Sequence, residues 1–169
     1  MQLVLAKLDD LNKIKEMYTK IIKNMYDNDI KIWNEYYPNE VFESDIEQET
    51  LYLLKDNDKI LGAFVIYEHK NLEEDVKWKD LNAKAYLLNR VGVNVEYLHQ
   101  GIGRKLINEA CFLAKDNDAK YLRLLVSEFN VPAIKLYYKC DFKKVSGIHK
   151  EVINEYFSLN EYGFEIELN

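Results

Sequence analysis

The chain has 169 residues, 48% hydrophobic and 31% charged, the size and balance of one globular domain over residues 1–169 with a proper core. A formal charge of −6 argues against a dedicated polyanion binder, so no nucleic-acid partner is expected and any anionic ligand has to be held locally. No window approaches the roughly 18 apolar residues of a membrane span, and MQLVLAKLDD turns acidic before a signal-peptide core can form, which predicts a cytoplasmic protein with no membrane partner.

In chain order, QLVLA (2–6) reads as a first strand, and Asp9 stands where an N-cap would precede the helical run LNKIKEMYTKIIKNMY. Leu11, Ile14, Met17 or Tyr18, Ile21 or Ile22 and Met25 recur in that run at helical spacing. A second, shorter helix is expected over 29–36, stopped by Pro38, and a third over 42–48. LYLLKDNDKILGAFVIYE predicts a hairpin turning at Asp56 to Asp58, followed by a polar excursion over 69–83 and a strand over 87–93. A helix after position 101 ends near Asn117 or Asp118, residues that tolerate the left-handed conformation. YLRLLV (121–126) is a buried strand, NVPAIKLYYK (130–139) a short helix, and DFKKVSGIHK and EYGFEIELN two closing strands. Cys111 and Cys140 belong to no CxxC or Cys/His grouping, so they read as reduced, mostly buried thiols, and no metal is expected.

YLHQGIGRKLINEACFLA puts Gly101 and Gly103 directly in front of an apolar helical pattern. The first N–H groups of a helix lack intrahelical partners and lie at the positive end of its dipole, so such a turn can bind an anion, and glycines let the ligand approach the backbone. The dinucleotide fingerprint needs a third glycine at position 106, where Leu106 stands, and GxxxxGK[ST] is nowhere in the chain. On the residues alone, the pair of glycines fits either an anion site or a tight strand-to-helix turn.

A second segment, NVPAIKLYYKCDF, follows after one strand. Strand, GIG turn, helix, strand and this segment together resemble the core of the GNAT superfamily of N-acetyltransferases, most strongly over Leu87 to Phe142. The family's acyl-CoA loop, Q/R-x-x-G-x-G/A, falls on Leu98, His99, Gln100, Gly101, Ile102 and Gly103. Its later motif, N-x-x-A-x-x-L-Y-x-K-x-G-F, falls on Asn130, Ala133, Leu136, Tyr137, Lys139 and Phe142. Leu98 departs from the usual Gln or Arg, His99 stands where glycine is frequent, and Asp141 replaces the usual glycine.

The resemblance implies an α/β fold with a mixed, largely antiparallel sheet flanked by helices and a V-shaped splay between the fourth and fifth strands. It also implies acetyl-CoA as cosubstrate and an amine as acceptor. Carried over by position, the amides of His99, Gln100, Gly101, Ile102, Gly103 and Arg104 hold the pyrophosphate, backbone near Val91 and Val93 pairs with the pantetheine arm, and Gly92 permits a bulge there. Asn130 contacts CoA or simply caps its helix, and the Tyr137 hydroxyl stabilises the leaving thiolate. No Asp or Glu lies between Ala83 and Val95, where family members often carry a general base. Glu35, His69, Glu73, Glu74, Asp75, Glu128 or a water relay are the substitutes, and none is assigned.

Trp33 and Tyr37, in a W...YP...DI pattern seen in some family members, are candidates for lining an acceptor pocket, with ordinary core packing as the alternative. Trp78 in the acidic excursion is a candidate border of the same cleft. The expected protein is an N-acetyltransferase acting on a small-molecule amine, as monomer or homodimer. A catalytically silent acyl-CoA module and a protein N-acetyltransferase are the alternatives.

Overall fold

A computed structural model describes residues 1–155 and 157–168. It shows a mixed α/β architecture: an open eight-stranded sheet, order β1-β2-β3-β4-β5-β8-β6 with β7 paired to β8, antiparallel except for the β4–β5 pair and flanked by helices. The strands are β1 (Gln2–Leu5), β2 (Leu51–Asp56), β3 (Lys59–Glu68), β4 (Ala85–Val93), β5 (Tyr121–Ser127), β6 (Lys143–Lys144), β7 (His149–Asn154) and β8 (Phe157–Glu167). The helices are α1 (Leu11–Asp27), α2 (Phe42–Glu47), α3 (Ile102–Asp116) and α4 (Val131–Lys139). Asn169, the end of the expected last strand, lies outside the described residues. The chain divides into two compact units, Met1–Ile66 with Asn89–Glu109, and Tyr67–Leu88 with the described chain from Ala110 onward. β4 and α3 each contribute residues to both.

In the first unit, β1 pairs with β2 from Gln2↔Lys55 to Leu5↔Tyr52, and the β2–β3 hairpin turns through Asn57, whose φ of 53° suits a residue able to adopt the left-handed region. α1 buries Ile14, Met17, Tyr18, Ile21 and Ile22, the stripe its period predicts. Asp10, not Asp9, marks the entry to α1: its carboxylate accepts from the Lys7 amide at 3.1 Å and Lys55 Nζ at 2.6 Å. The helix expected over 29–36 does not form. Asp29 is left-handed (φ 59°), and Asn34 Oδ1 accepts from the amides of Tyr36 and Tyr37, both at 2.9 Å, drawing the backbone into a turn.

In the second unit, the parallel β4–β5 register runs from Ala85↔Tyr121 to Leu87↔Arg123, and β5 pairs with β8 from Tyr121↔Glu167 to Ser127↔Glu161. Arg123 is fully buried, donating to Glu165 Oε2 at 3.2 Å and the Asp80 carbonyl at 2.6 Å between the rings of Trp78 and Tyr121. The polar excursion is therefore pinned down. Trp78 and Val76 are buried, and a Cβ at Gly163 would run into both side chains. DFKKVSGIHK is not one strand: Gly147, at φ 94° and bridged to Val76, separates β6 from β7. A side chain there would collide with the Asp75 carbonyl. Cys111 and Cys140 form no disulfide, and burial pushes the Cys111 thiol up to about 11, which leaves it protonated at neutral pH.

Candidate active site

Asn94 anchors the approach to the glycine turn. Its amide and side-chain Nδ2 donate to the Leu61 and Ile60 carbonyls at 3.0 and 2.8 Å, and its Oδ1 caps the following 3-10 turn by accepting from the Glu96 amide at 3.1 Å. The chain then reverses through two left-handed residues, His99 (φ 61°) and Gly101 (φ 78°), and enters α3. Buried Ile102 and Leu106 fix the helix start, while His99, Gln100, Gly101 and Arg104 are exposed and Gly103 is half-buried. A Cβ on Gly101 would meet nothing within 4 Å, so conformation and not crowding calls for glycine, and the backbone faces open space. The Lys105 amide donates to the Gly101 carbonyl at 3.1 Å, and the amides ahead of it have no intrahelical acceptor. They are free to meet an anion at the positive end of the helix.

Immediately upstream, Val91 and Val93 are half-buried on β4. The left-handed kink in β4 is at Arg90. Arg90 has φ 50°, its amide donates to Asn89 Oδ1 at 2.7 Å, and its carbonyl accepts from the Tyr18 hydroxyl. A Cβ at Gly92 would stand 2.8 Å from the Tyr18 ring.

Trp33 packs on that same ring at 5.7 Å, and the Tyr37 hydroxyl accepts from Arg90 Nη1 at 3.1 Å. Both residues thus fall in the first unit, against α1 and β4. A groove of about 480 Å³ in this unit is lined by Thr19, Ile22, Lys23 and Tyr26 of α1 with Asn34, Glu35 and Asn39, and Trp33 and Tyr37 are not among its lining residues.

Asn130 and Tyr137 belong to the second unit. Asn130 Oδ1 accepts from the Ala133 amide at 3.3 Å, so it is an N-cap, with Pro132 in the first turn of α4. Tyr137 is 7% exposed, its ring against Phe142 and Phe164 at 5.9 and 6.2 Å. Burial, with Cys140 adding, pushes its phenol well above the ordinary range, so at neutral pH it is a hydrogen-bond donor and not a base. The neighbouring Tyr138 is exposed. Asp141, where the motif has glycine, sits at φ 65°: the position demands a left-handed residue, and aspartate tolerates it.

The model of the acetyltransferase (GNAT) family matches residues 14–142, three-quarters of the sequence. The chain belongs to that family, whose general activity is acetyl-CoA-dependent acetyl transfer.

Solved structures resemble this chain over nearly its whole length. A Staphylococcus aureus Mu50 protein assigned as an acetyltransferase is 26% identical, with a TM-score of 0.70 and 100% of both chains covered. An assigned acetyltransferase of Salmonella typhimurium, solved with its cofactor acetyl-CoA, is 15% identical with a TM-score of 0.71, covering 100% of this chain and 94% of its own. The ribosomal-protein-alanine N-acetyltransferase of Brucella melitensis is 18% identical with a TM-score of 0.70, covering 99% and 100%. No curated protein matches the chain by sequence.

The candidate carboxylates differ in their surroundings. Burial opposes ionisation of Glu73, but hydrogen bonds from His69 Nε2 at 3.1 Å and Trp78 Nε1 at 3.2 Å hold its carboxyl below the ordinary range. Glu128 accepts from Asn160 and Tyr162, whereas Glu35, Glu74 and Asp75 are exposed. Glu161, which sequence reasoning missed, is pushed up to about 7 by burial, with Glu151 and Glu73 adding to the shift and His149 opposing it. Its partner across the ladder is His149, a register that residue spacing cannot reveal. Glu161 and Phe164, against which Tyr137 packs, lie on alternate faces of β8. Among the described residues, His149, Glu151 and Glu161 bring their ligand atoms within 4.8 Å of one another, a grouping with donors suited to a divalent cation.

Proposed function

We propose that the protein transfers an acetyl group from acetyl-CoA to the amine of a small molecule, by direct attack in a ternary complex. The observation that carries this reading is the turn at His99 and Gly101, a left-handed reversal with open space over Gly101 at the start of a helix, within a chain of the GNAT family. The amides from His99 to Arg104 hold the pyrophosphate, and Asn130 adds a contact to CoA. Backbone near Val91 and Val93 pairs with the pantetheine arm as an added strand would.

In the reaction the neutral amine attacks the thioester carbonyl, the C–S bond breaks, and the departing thiolate receives a hydrogen bond or proton from Tyr137. The proton lost by the amine passes to a base or to water. Trp33 and Tyr37 border the acceptor.

A silent acyl-CoA module is the second reading, favoured by the absence of Asp and Glu from 83–95. The protein-acetylating relative from Brucella marks a third. Release of CoA thiol, measured across simple amines, polyamines, amino acids, aminoglycosides and peptides, separates them. Release that depends on a small amine is the expected result. Acetyl-CoA binding with no release above hydrolysis makes the protein a silent module, and release with peptides alone makes it a protein acetyltransferase.

A further inference from the structure

We propose that Arg90 is a positioning residue for the acyl-CoA arm: its guanidinium, gripped by Asp45 and Tyr37, locks the kink in β4 that sets the orientation of Val91 and Val93. The inference rests on the reading above, in which backbone near Val91 and Val93 meets the pantetheine.

The kink is held from several sides within the first unit. Arg90 Nη2 donates to Asp45 Oδ1 of α2 at 2.6 Å, and Nη1 donates to the Tyr37 hydroxyl at 3.1 Å. The Arg90 amide and carbonyl are taken by Asn89 Oδ1 and the Tyr18 hydroxyl. The Tyr18 ring lies close enough to Gly92 to forbid any side chain there. A strained backbone conformation at a residue other than glycine persists only where its surroundings over-determine it, and here α1, α2 and the 34–39 turn all converge on one residue.

Stability does not explain the arrangement. The side chains of Arg90 and Asp45 are 11% and 10% exposed, and Arg90 Nε and Asp45 Oδ2 are buried with no hydrogen-bond partner among the described residues. Burial holds the Asp45 carboxyl above its ordinary range against the pull of Arg90. Such an incompletely satisfied buried pair is a poor source of stability compared with apolar packing. What it supplies is geometry, a fixed φ at position 90 and therefore a fixed direction for the peptide groups that follow. Small displacements of such groups are enough to cost a large factor in positioning.

The test is calorimetric titration of the folded protein with two probes: acetyl-CoA, and adenosine 3′-phosphate 5′-diphosphate, which keeps the pyrophosphate but lacks the pantetheine arm. Arg90→Met is expected to weaken acetyl-CoA at least about tenfold while binding the nucleotide as wild type does. Tyr18→Phe keeps the ring and deletes only the donor to Arg90, so a selective loss of about threefold is expected, and this variant serves if Arg90→Met does not fold. Equal weakening of both probes would show a structural role and overturn the inference, as would unchanged acetyl-CoA affinity in a folded variant. Failure of wild type to bind acetyl-CoA would instead overturn the proposed function, and this inference with it.

Discussion

In the proposed reaction the glycine turn and Tyr137 contribute in opposite ways. At His99 to Ile102 the useful groups are backbone amides, and the side chains matter for the φ values they permit and the space they leave. At Tyr137 the useful group is one hydroxyl, carried on a ring wedged between Phe142 and Phe164. A site made of backbone tolerates substitution wherever the conformation survives. Hence His99 stands at a position where family members often have glycine, and Asp141 does the same in the second unit at φ 65°. A site made of a single side-chain atom has no such latitude.

The sharpest way to break this comparison is Tyr137→Phe. It keeps the ring packing, so stability and acetyl-CoA affinity should hold while turnover falls by at least about tenfold, and by about 10² to 10⁴, the range typical of general acids, when water does not substitute. Tyr138→Phe, at an exposed position, is the matched control in the same steady-state assay and should leave turnover unchanged.

Gly101→Val forces a β-branched residue to φ 78° and should weaken acetyl-CoA by roughly tenfold or more, about 1.4 kcal/mol. Gly101→Asn, which tolerates the left-handed region, should bind within a few-fold of wild type. If calorimetry on folded variants finds Val and Asn equivalent, the argument from backbone conformation fails.

An effect on stability and not on activity, outside both regions, comes from Glu161. Its folded carboxyl is pushed up to about 7, above the value near 4.3 of an unfolded glutamate, so between those values the folded state binds the extra proton. Stability is then fully favoured at low pH and declines as pH rises through 7. Glu161→Gln should be more stable than wild type at pH 8 by about 1–3 kcal/mol, the gap narrowing toward pH 5 and closing below about 4.3. Denaturant unfolding at the two pH values checks the sign, and a gap that widens toward pH 5 would refute it.

The smallest effect expected is at Asp141. Asp141→Gly should change stability by less than about 1 kcal/mol, since both residues accept φ 65°. Thermal unfolding will show whether that position asks for anything beyond its conformation.

Much of the fold is written in local patterns. The α1 stripe, the hairpin at Asn57 and the left-handed stop at Asp118 depend on neighbours in sequence, and spacing reveals them. The two acyl-CoA segments were legible because each is contiguous and they come in a fixed order. What stayed hidden depends on partners far apart in the chain. Arg90 meets Asp45 across 45 positions and Tyr18 across 72, so nothing near position 90 signals a kink. His149 faces Glu161 only through the β7–β8 register. Asn34 diverted the 29–36 segment into a turn through one side-chain acceptor, a competition that helical spacing does not register. Trp78, expected at the border of a cleft, is instead buried beside Arg123.

The division of labour itself is tested most directly by CoA-thiol release against acetyl-CoA concentration for wild type, Tyr137→Phe and Gly101→Val with one accepted amine. Tyr137→Phe should lower kcat at an unchanged KM for acetyl-CoA, and Gly101→Val should raise that KM with kcat largely recovered at saturation. Equal kcat for wild type and Tyr137→Phe, confirmed in single turnovers so that product release does not mask the chemistry, would contradict the account.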